Sequence, residues 1–290
     1  MFDVVGHSED RESWLELRRE GIGGSDAAGV LGVSPWSSPV SVFADKVLGS
    51  DNKDSEPMYW GRTLEPVILE HYARETEREV TSDGRLLRSK EYPCMQVTLD
   101  GRQSGPAGER GFVEVKNTRF HLKDGVPQHY WIQMQHQFAV TGWRWGTFAV
   151  LVMGAEFYWK DVARDDDFID GTLIPAELDF WDRVQAGGPT PPADASDATL
   201  EALKRIYPSD DGETVTLDGE FLDDDIQRQK CAAIVAEGKG HLQSIDNRIK
   251  AAIGDATYGL LPNGRQYAWK ARKDGVRVFR APKPEEEQAS

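Results

Sequence analysis

Apolar residues recur along the chain with two periods, and the switches between them mark out its elements. Trp14 and Leu17 stand three apart in the polar stretch Ser8–Glu20, which predicts a short helix capped by Ser8. Gly21–Gly24 forms a glycine-rich turn, and Ser25 or Asp26 suits the N-cap of the next helix. Helical spacing resumes over Val40–Leu48 after a turn-rich loop at 31–39. A longer helix is expected from Met58 to Glu79, with Leu64, Val67, Ile68 and Tyr72 as its buried stripe. The run Gln96–Gly101 closes on an Asp-Gly turn, and Gly111–Asn117 alternates apolar and charged residues; both read as strands of period two. Pro127 opens a helix to about Thr141 whose Tyr130, Met134, Phe138 and Thr141 are candidate core. Strands at Trp145–Val152 and Phe157–Val162 and a helix over 166–186 complete this part of the chain.

Beyond it the pattern changes. The Pro/Gly stretch 187–194 reads as a stiff exit from a first domain at 1–195, followed by a linker at 196–222 and a C-terminal part at 223–290. Asp223–Ile253 is a long polar helix whose sparse apolar residues approach heptad spacing toward its end, as in a helical arm. A β-hairpin is expected within 258–280 around Pro262-Asn263-Gly264. From Arg265 to Pro284 seven basic residues face one acidic residue, Asp274. With Tyr267, Trp269 and Phe279 they suit a phosphate-and-base contact surface, or equally a hairpin docked on the acidic helix before it. The tail Glu285–Glu287 reads as disordered.

Composition narrows the class. The 290 residues, 39% hydrophobic with nine Trp and eleven Phe, can bury a substantial core. Two cysteines, Cys94 and Cys231, are too few for a disulfide framework, and no apolar run is long enough to span a bilayer, so a soluble cytoplasmic protein is expected. A net charge of −15 argues against a general nucleic-acid coat but not against an enzyme with a locally basic cleft.

The chemistry centres on Glu114-Val115-Lys116. Residues at i and i+2 of a strand share a face, so a carboxylate stands beside an ammonium. If the two strands pair, Asp100 joins Glu114 and Lys116 at one edge. Two carboxylates are hard ligands suited to Mg²⁺, and a lysine there can orient water and shield phosphate charge. The plainer reading of Glu-x-Lys is a surface ion pair. Glu65, beside the helical stripe, is either a solvated glutamate or a third carboxylate facing the strands. Gln133 and Gln137 lie four apart on one helix face, next to apolar positions, and need partners. His129 and His136 complete no zinc set and read as ordinary polar residues. Arg18 can reach a phosphate beside the helix start at Ser25, unless that segment is only a capped helix with flexible glycines.

Taken in order, Trp14…Arg18…Ile22-Gly23-Gly24-Ser25-Asp26, Gly32-Val33-Ser34-Pro35-Trp36, Gly61…Leu64-Glu65-Pro66, Asp100-Gly101, Glu114-Val115-Lys116 and Gln133-x-Gln135-x-Gln137…Thr141-Gly142 resemble the YqaJ-type viral recombinase nucleases. These are relatives of lambda exonuclease in the PD-(D/E)XK superfamily, and the resemblance spans residues 10 to about 195. It implies an α/β fold, a mixed central sheet flanked by helices as in restriction endonucleases, here with a C-terminal helical arm and β-hairpin. It further implies that Asp100, Glu114 and the Val115 carbonyl ligate Mg²⁺ or Mn²⁺, as two ions, with Glu65 completing the site. Lys116 would position or activate the attacking water, and Gln133 would orient Lys116 or the DNA backbone. Arg18 and Ser25 would hold a 5′-phosphate. The implied activity is degradation of one strand of duplex DNA from its 5′ end, leaving 3′ overhangs for a single-strand annealing recombinase. A ring-shaped trimer and a location in the host cytoplasm are implied with it. One departure is Thr98-Leu99 before Asp100, where relatives often carry Ser-Pro or Thr-Pro. The alternatives are an endonuclease of the same superfamily and a catalytically idle module binding DNA ends or recombination proteins. Intact Asp100, Glu114 and Lys116 favour the enzyme. Relatives with a four-cysteine iron–sulfur site are disfavoured, because two cysteines cannot build it.

Overall fold

Val113 and Val115 point one way from their strand and Phe112, Glu114 and Lys116 the other, and this alternation organises the core. The computed structural model describes residues 2–50, 55–119, 121–122 and 125–283. The chain divides into two compact units, Met1–Asp210 and Asp211–Ser290.

The first unit opens with β1 (Phe2–His7), α1 (Arg11–Arg19), β2 (Ile22–Gly23), α2 (Gly24–Val30), α3 (Pro39–Leu48) and α4 (Glu56–Thr76). The strands β3 (Glu79–Ser82), β4 (Arg85–Ser89), β5 (Met95–Thr98), β6 (Gly101–Ser104) and β7 (Arg110–Thr118) follow. Then come α5 (Gln128–Thr141), β8 (Trp145–Val152), β9 (Glu156–Ala163), the single turn α6 (Asp166–Phe168), a π-helical turn at Ile169–Leu173, α7 (Ile174–Ala186) and α8 (Asp197–Ile206). Five strands form a mixed sheet in the order β3-β6-β7-β8-β9, in which β7 and β8 run parallel. Four others form a second sheet, β1-β4-β5-β2.

Helix α5 lies between the sheets. Its Ile132, Met134 and Phe138 pack with Phe112 and Phe148 of the five-stranded sheet and Leu87, Met95 and Val97 of the other. On the far face of the five-stranded sheet, Ile68, Leu69 and Tyr72 of α4 cover Val113, Val115 and Ala149. Side chains of this size each contribute about 1.5–3 kcal/mol when fully buried, so β7 is clamped from both faces. Gly101 permits the close approach of α4: a Cβ there would lie 2.8 Å from Leu69 Cδ2.

The structure corrects several expectations. Helix α1 is capped by Asp10, whose carboxylate accepts from the Ser13 N–H, and not by Ser8. Neither Ser25 nor Asp26 is an N-cap, because α2 already starts at Gly24. Leu69, not Val67, completes the α4 stripe; Val67 is 57% exposed. The strand Met95–Thr98 does not pair with β7: the chain turns at Asp100, and β6 makes that pairing, with Gly101 opposite Val113. Residues 197–206, expected as linker, form α8 against α3, with Thr199 Oγ1 donating to Ser38 Oγ at 2.7 Å and Arg205 bound to Asp45.

The second unit holds α9 (Glu220–Ile253) and a three-stranded antiparallel sheet of β10 (Tyr258–Leu260), β11 (Gln266–Ala271) and β12 (Arg277–Arg280), where a two-stranded hairpin was expected. Tyr267, Trp269 and Phe279 of this sheet lie half-buried over the end of α9, while Tyr258 is exposed. Lys250 stands over the Phe279 ring, Phe279 stacks with Tyr267, and Arg277 covers Trp269 at 3.7 Å while donating to the Gly254 and Ala256 carbonyls. Of the two roles open to this face, these contacts show the docking on the helix. The tail Glu285–Glu287 lies outside the described residues.

Candidate active site

Glu114 projects from the middle of β7 toward α5 and is 1% exposed. Every oxygen of its carboxylate is engaged. Oε1 accepts from Lys116 Nζ and, at 2.6 Å, from Gln133 Nε2, while Oε2 accepts from Gln137 Nε2 at 2.5 Å. The i, i+4 spacing of Gln133 and Gln137 puts both amides on one face of α5, aimed at one carboxylate. Lys116 also stands 5.1 Å from the Tyr130 ring centre.

Asp100 reaches the same place from the turn between β5 and β6, its Oδ2 accepting from the Val115 N–H at 2.7 Å. Glu65 enters from α4. Burial and then the Glu114 charge push the Glu65 carboxyl up to about 7, against the pull of Lys116. Asp100 is raised well above the ordinary carboxylate range by burial, Glu114 and Glu65, more than Lys116 and the Val115 N–H offset. Burial disfavours the Lys116 ammonium, yet Glu114 and Asp100 outweigh it and hold the proton more tightly than in free lysine. Three carboxyl groups thus crowd around one lysine, and two of them, Glu65 and Asp100, are pushed toward the protonated form. Among the described residues no three His, Cys, Asp or Glu side chains form a preformed metal cage. Lys116 pairs with Glu114 instead, and the two amides donate hydrogen bonds to it.

A cavity of about 390 Å³ opens onto this cluster, lined by Glu65, Asp100, Gln133 and Gln137 together with Trp14, Arg18, Gly24 and Ser25. The Arg18 guanidinium donates to Ser25 Oγ at 2.9 Å and lies 4.8 Å over the Trp14 ring, whose indole N–H is fixed by Thr98 Oγ1. The Arg18 backbone is tethered too, its carbonyl accepting from Gln96 Nε2 at 2.9 Å and Lys46 Nζ at 3.1 Å. Lys46 also pairs with Asp26 at 2.6 Å, and Asp26 accepts from the Gly23 N–H. All the residues singled out from the sequence, Arg18, Ser25, Glu65, Asp100, Glu114, Lys116 and Gln133, therefore gather in one region.

Three groups escaped the sequence reading. Gln137 was noted only as needing a partner. The Asp26–Lys46 clamp carries no local signal at all. His136 is no ordinary polar residue: fully buried, it donates from Nε2 to the Gln96 carbonyl at 3.0 Å and faces Glu177 Oε1 at 2.8 Å through Nδ1. Burial works against its protonation, but Glu177 outweighs it and raises the imidazole pKa.

The fold is that of the alkaline exonucleases. The alkaline exonuclease of Laribacter hongkongensis superimposes with a TM-score of 0.51 at 23% identity, covering 67% of this chain and 97% of that one. A second structure of the same protein, in complex with dAMP, gives 0.50 at 24% identity over the same shares. In sequence, the chain belongs to the YqaJ-like viral recombinase domain family, whose model matches residues 13–144, a span holding every site residue above. It is 32% identical over 270 residues to an uncharacterized protein of Bacillus subtilis (strain 168), YqaJ, covering 90% of this chain and 83% of that protein. No helix among the described residues is long and apolar enough to cross a membrane.

Proposed function

We propose that the protein is a metal-dependent exonuclease that hydrolyses one strand of duplex DNA from its 5′ end, leaving 3′ overhangs suited to a single-strand annealing recombinase. The observation that carries this reading is Glu114, buried and hydrogen-bonded to three donors, with Asp100 and Glu65 crowded beside it. The donor set fits a hard divalent ion: oxygen ligands from three carboxyl groups, two of which burial and their neighbours' charge push toward the protonated form, a penalty a divalent cation would relieve. Asp100, Glu114 and the Val115 carbonyl would hold Mg²⁺, with Glu65 completing the set and Mn²⁺ able to substitute. Once bound, the metal supplies Lewis-acid stabilisation of charge on the scissile phosphate and eases ionisation of the attacking water.

The chain's own groups do the rest. Gln133 and Gln137 fix the plane of the Glu114 carboxylate. Lys116 keeps its proton firmly, so it serves as a compact positive donor to the water or to a phosphate oxygen and not as a base. Arg18, locked by Ser25 and Trp14, can meet a terminal 5′-phosphate, which carries more charge than an internal diester. The shared cavity supports this division, since Arg18 and Ser25 line it together with Glu65 and Asp100. The similarity in fold to an exonuclease crystallised with dAMP supports a nucleotide-bearing substrate.

The deciding experiment is digestion of end-labelled duplex DNA with 5′-phosphate or 5′-hydroxyl ends, with and without Mg²⁺. Mononucleotide release from phosphorylated 5′ ends, only with metal present, is expected. Release from 3′ ends alone, or no hydrolysis in either Mg²⁺ or Mn²⁺, would refute the reading.

A further inference from the structure

We propose that α9 pairs with α9 of a second copy of this chain, antiparallel and about a two-fold axis at Gly238. The helix is 34 residues long, about 51 Å at 1.5 Å per residue. At 100° per residue, Cys231, Ile234, Gly238, Leu242, Ile245 and Ile249 fall within an arc of about 100°, one continuous apolar face. Most of that face is open: Ile234 is 69% exposed, Leu242 60% and Ile245 49%. The sheet of the second unit packs only at the helix end, around Ile253. An open aliphatic stripe of this length on one helix is the face of an unmade helix pair.

Charge selects the occupant. Between 211 and 227 there are seven acidic residues and no lysine or arginine, whereas between 246 and 283 nine basic residues stand against three acidic ones. Unit two is thus a rod with a negative end and a positive end. Parallel pairing would bring like ends together. Antiparallel pairing sets each acidic end beside the basic end of the other copy, so the surface is complementary to itself, as a two-fold interface requires.

Gly238 fixes the register. Glycine inside an exposed helix costs roughly 0.5–1 kcal/mol relative to alanine, and a Cβ at 238 would meet nothing within 4 Å in the single chain. A helix crossing there gives the missing side chain a reason. With the axis at 238, Ile234 stands level with Leu242 of the second copy and Cys231 with its Ile245, apolar against apolar. Asp223–Asp225 come level with residues 251–253, next to the basic sheet.

The test uses the full-length chain with Cys231→Ser as background. Single variants Ile234→Cys and Leu242→Cys, one of them tagged, are mixed and treated with a short bis-maleimide. The expected product is the mixed tagged–untagged dimer, well above either homotypic product. Without any introduced cysteine, Ile234→Lys combined with Leu242→Lys should halve the sedimenting mass, leaving digestion of short duplexes unchanged. Homotypic products in excess would mean parallel pairing and overturn the proposal. No crosslink would overturn it too, as would a stripe covered within one chain or an α9 and basic sheet that bind duplex DNA as a monomer. The crosslink reads α9 itself, so any separate association of the first units does not obscure it.

Discussion

Replacing Asp26 with asparagine should destabilise the protein by about 3–5 kcal/mol, the usual cost of removing one partner of a buried ion pair. Asp26 and Lys46 are 20% and 7% exposed, and they bond at 2.6 Å. Burial alone would raise the Asp26 carboxyl, but Lys46, Arg18 and the Gly23 N–H hold it at about 2 against an ordinary 3.8, which corresponds to about 2 kcal/mol. The remainder comes from the ammonium left buried without its counter-ion. Its other bond, to the Arg18 carbonyl at 3.1 Å, does not neutralise it.

Urea unfolding at neutral pH, with an unchanged m-value, reads the loss directly. Its pH dependence supplies the control. The folded-state pKa lies below the unfolded value, so the carboxylate's contribution is complete above about pH 4 and is lost as pH falls through about 2. The gap between parent and variant should therefore narrow over that window. Converting both partners, Asp26→Asn with Lys46→Met, should recover most of the stability, since no charge is then stranded. A loss below about 1 kcal/mol, the range of exposed pairs, would refute the clamp. So would a gap unchanged from neutral pH to pH 2.

The site itself makes further predictions. Asp100→Ala and Glu114→Ala should each abolish DNA hydrolysis while circular dichroism stays that of the parent, and Lys116→Arg should fail as well, a broad guanidinium being no substitute for a compact ammonium. Ca²⁺ should support DNA binding in gel shift without cleavage, because it accepts the same oxygens at longer distances and in looser geometry. Gln137→Ala removes the donor to Glu114 Oε2, a bond to a charged group worth about 1.5–3 kcal/mol, so kcat should fall about tenfold to a hundredfold. Arg18→Ala should lower kcat/KM by a similar factor on 5′-phosphorylated ends and hardly at all on 5′-hydroxyl ends; equal losses on both would leave Arg18 a structural role only.

What the sequence discloses and what it hides divide along a physical line. A side chain's direction is set by its own strand or helix, so the common face of Glu114 and Lys116, and of Gln133 and Gln137, follows from spacing alone. The convergence of these two faces on one carboxylate is a further fact, yet it was half legible, because glutamines beside an apolar stripe demand partners and a buried strand glutamate demands donors. The turn at Asp100 was legible, but the strand that pairs with β7 was not, because a strand period runs on both sides of the corner. Period does not say which sheet a strand joins, and here β5 belongs to one sheet and β6 to the other.

The hidden part consists of single polar residues paired across long stretches of chain. Asp26 meets Lys46 from twenty positions away and His136 meets Glu177 from forty-one, and neither lies in a pattern of its own. Both pairs lead back to the visible ones. Gln96 accepts from His136 through its carbonyl and donates through its amide to the Leu17 and Arg18 carbonyls, while Lys46 binds the Arg18 carbonyl from the other side. Arg18 thus stands on the cavity wall because a buried histidine, a buried glutamine and a buried lysine grip the end of α1. Buried polar groups without partners cost more than they return, so these residues persist only as a connected set, and what that set fixes is the distance from Arg18 to the carboxylates across the cavity.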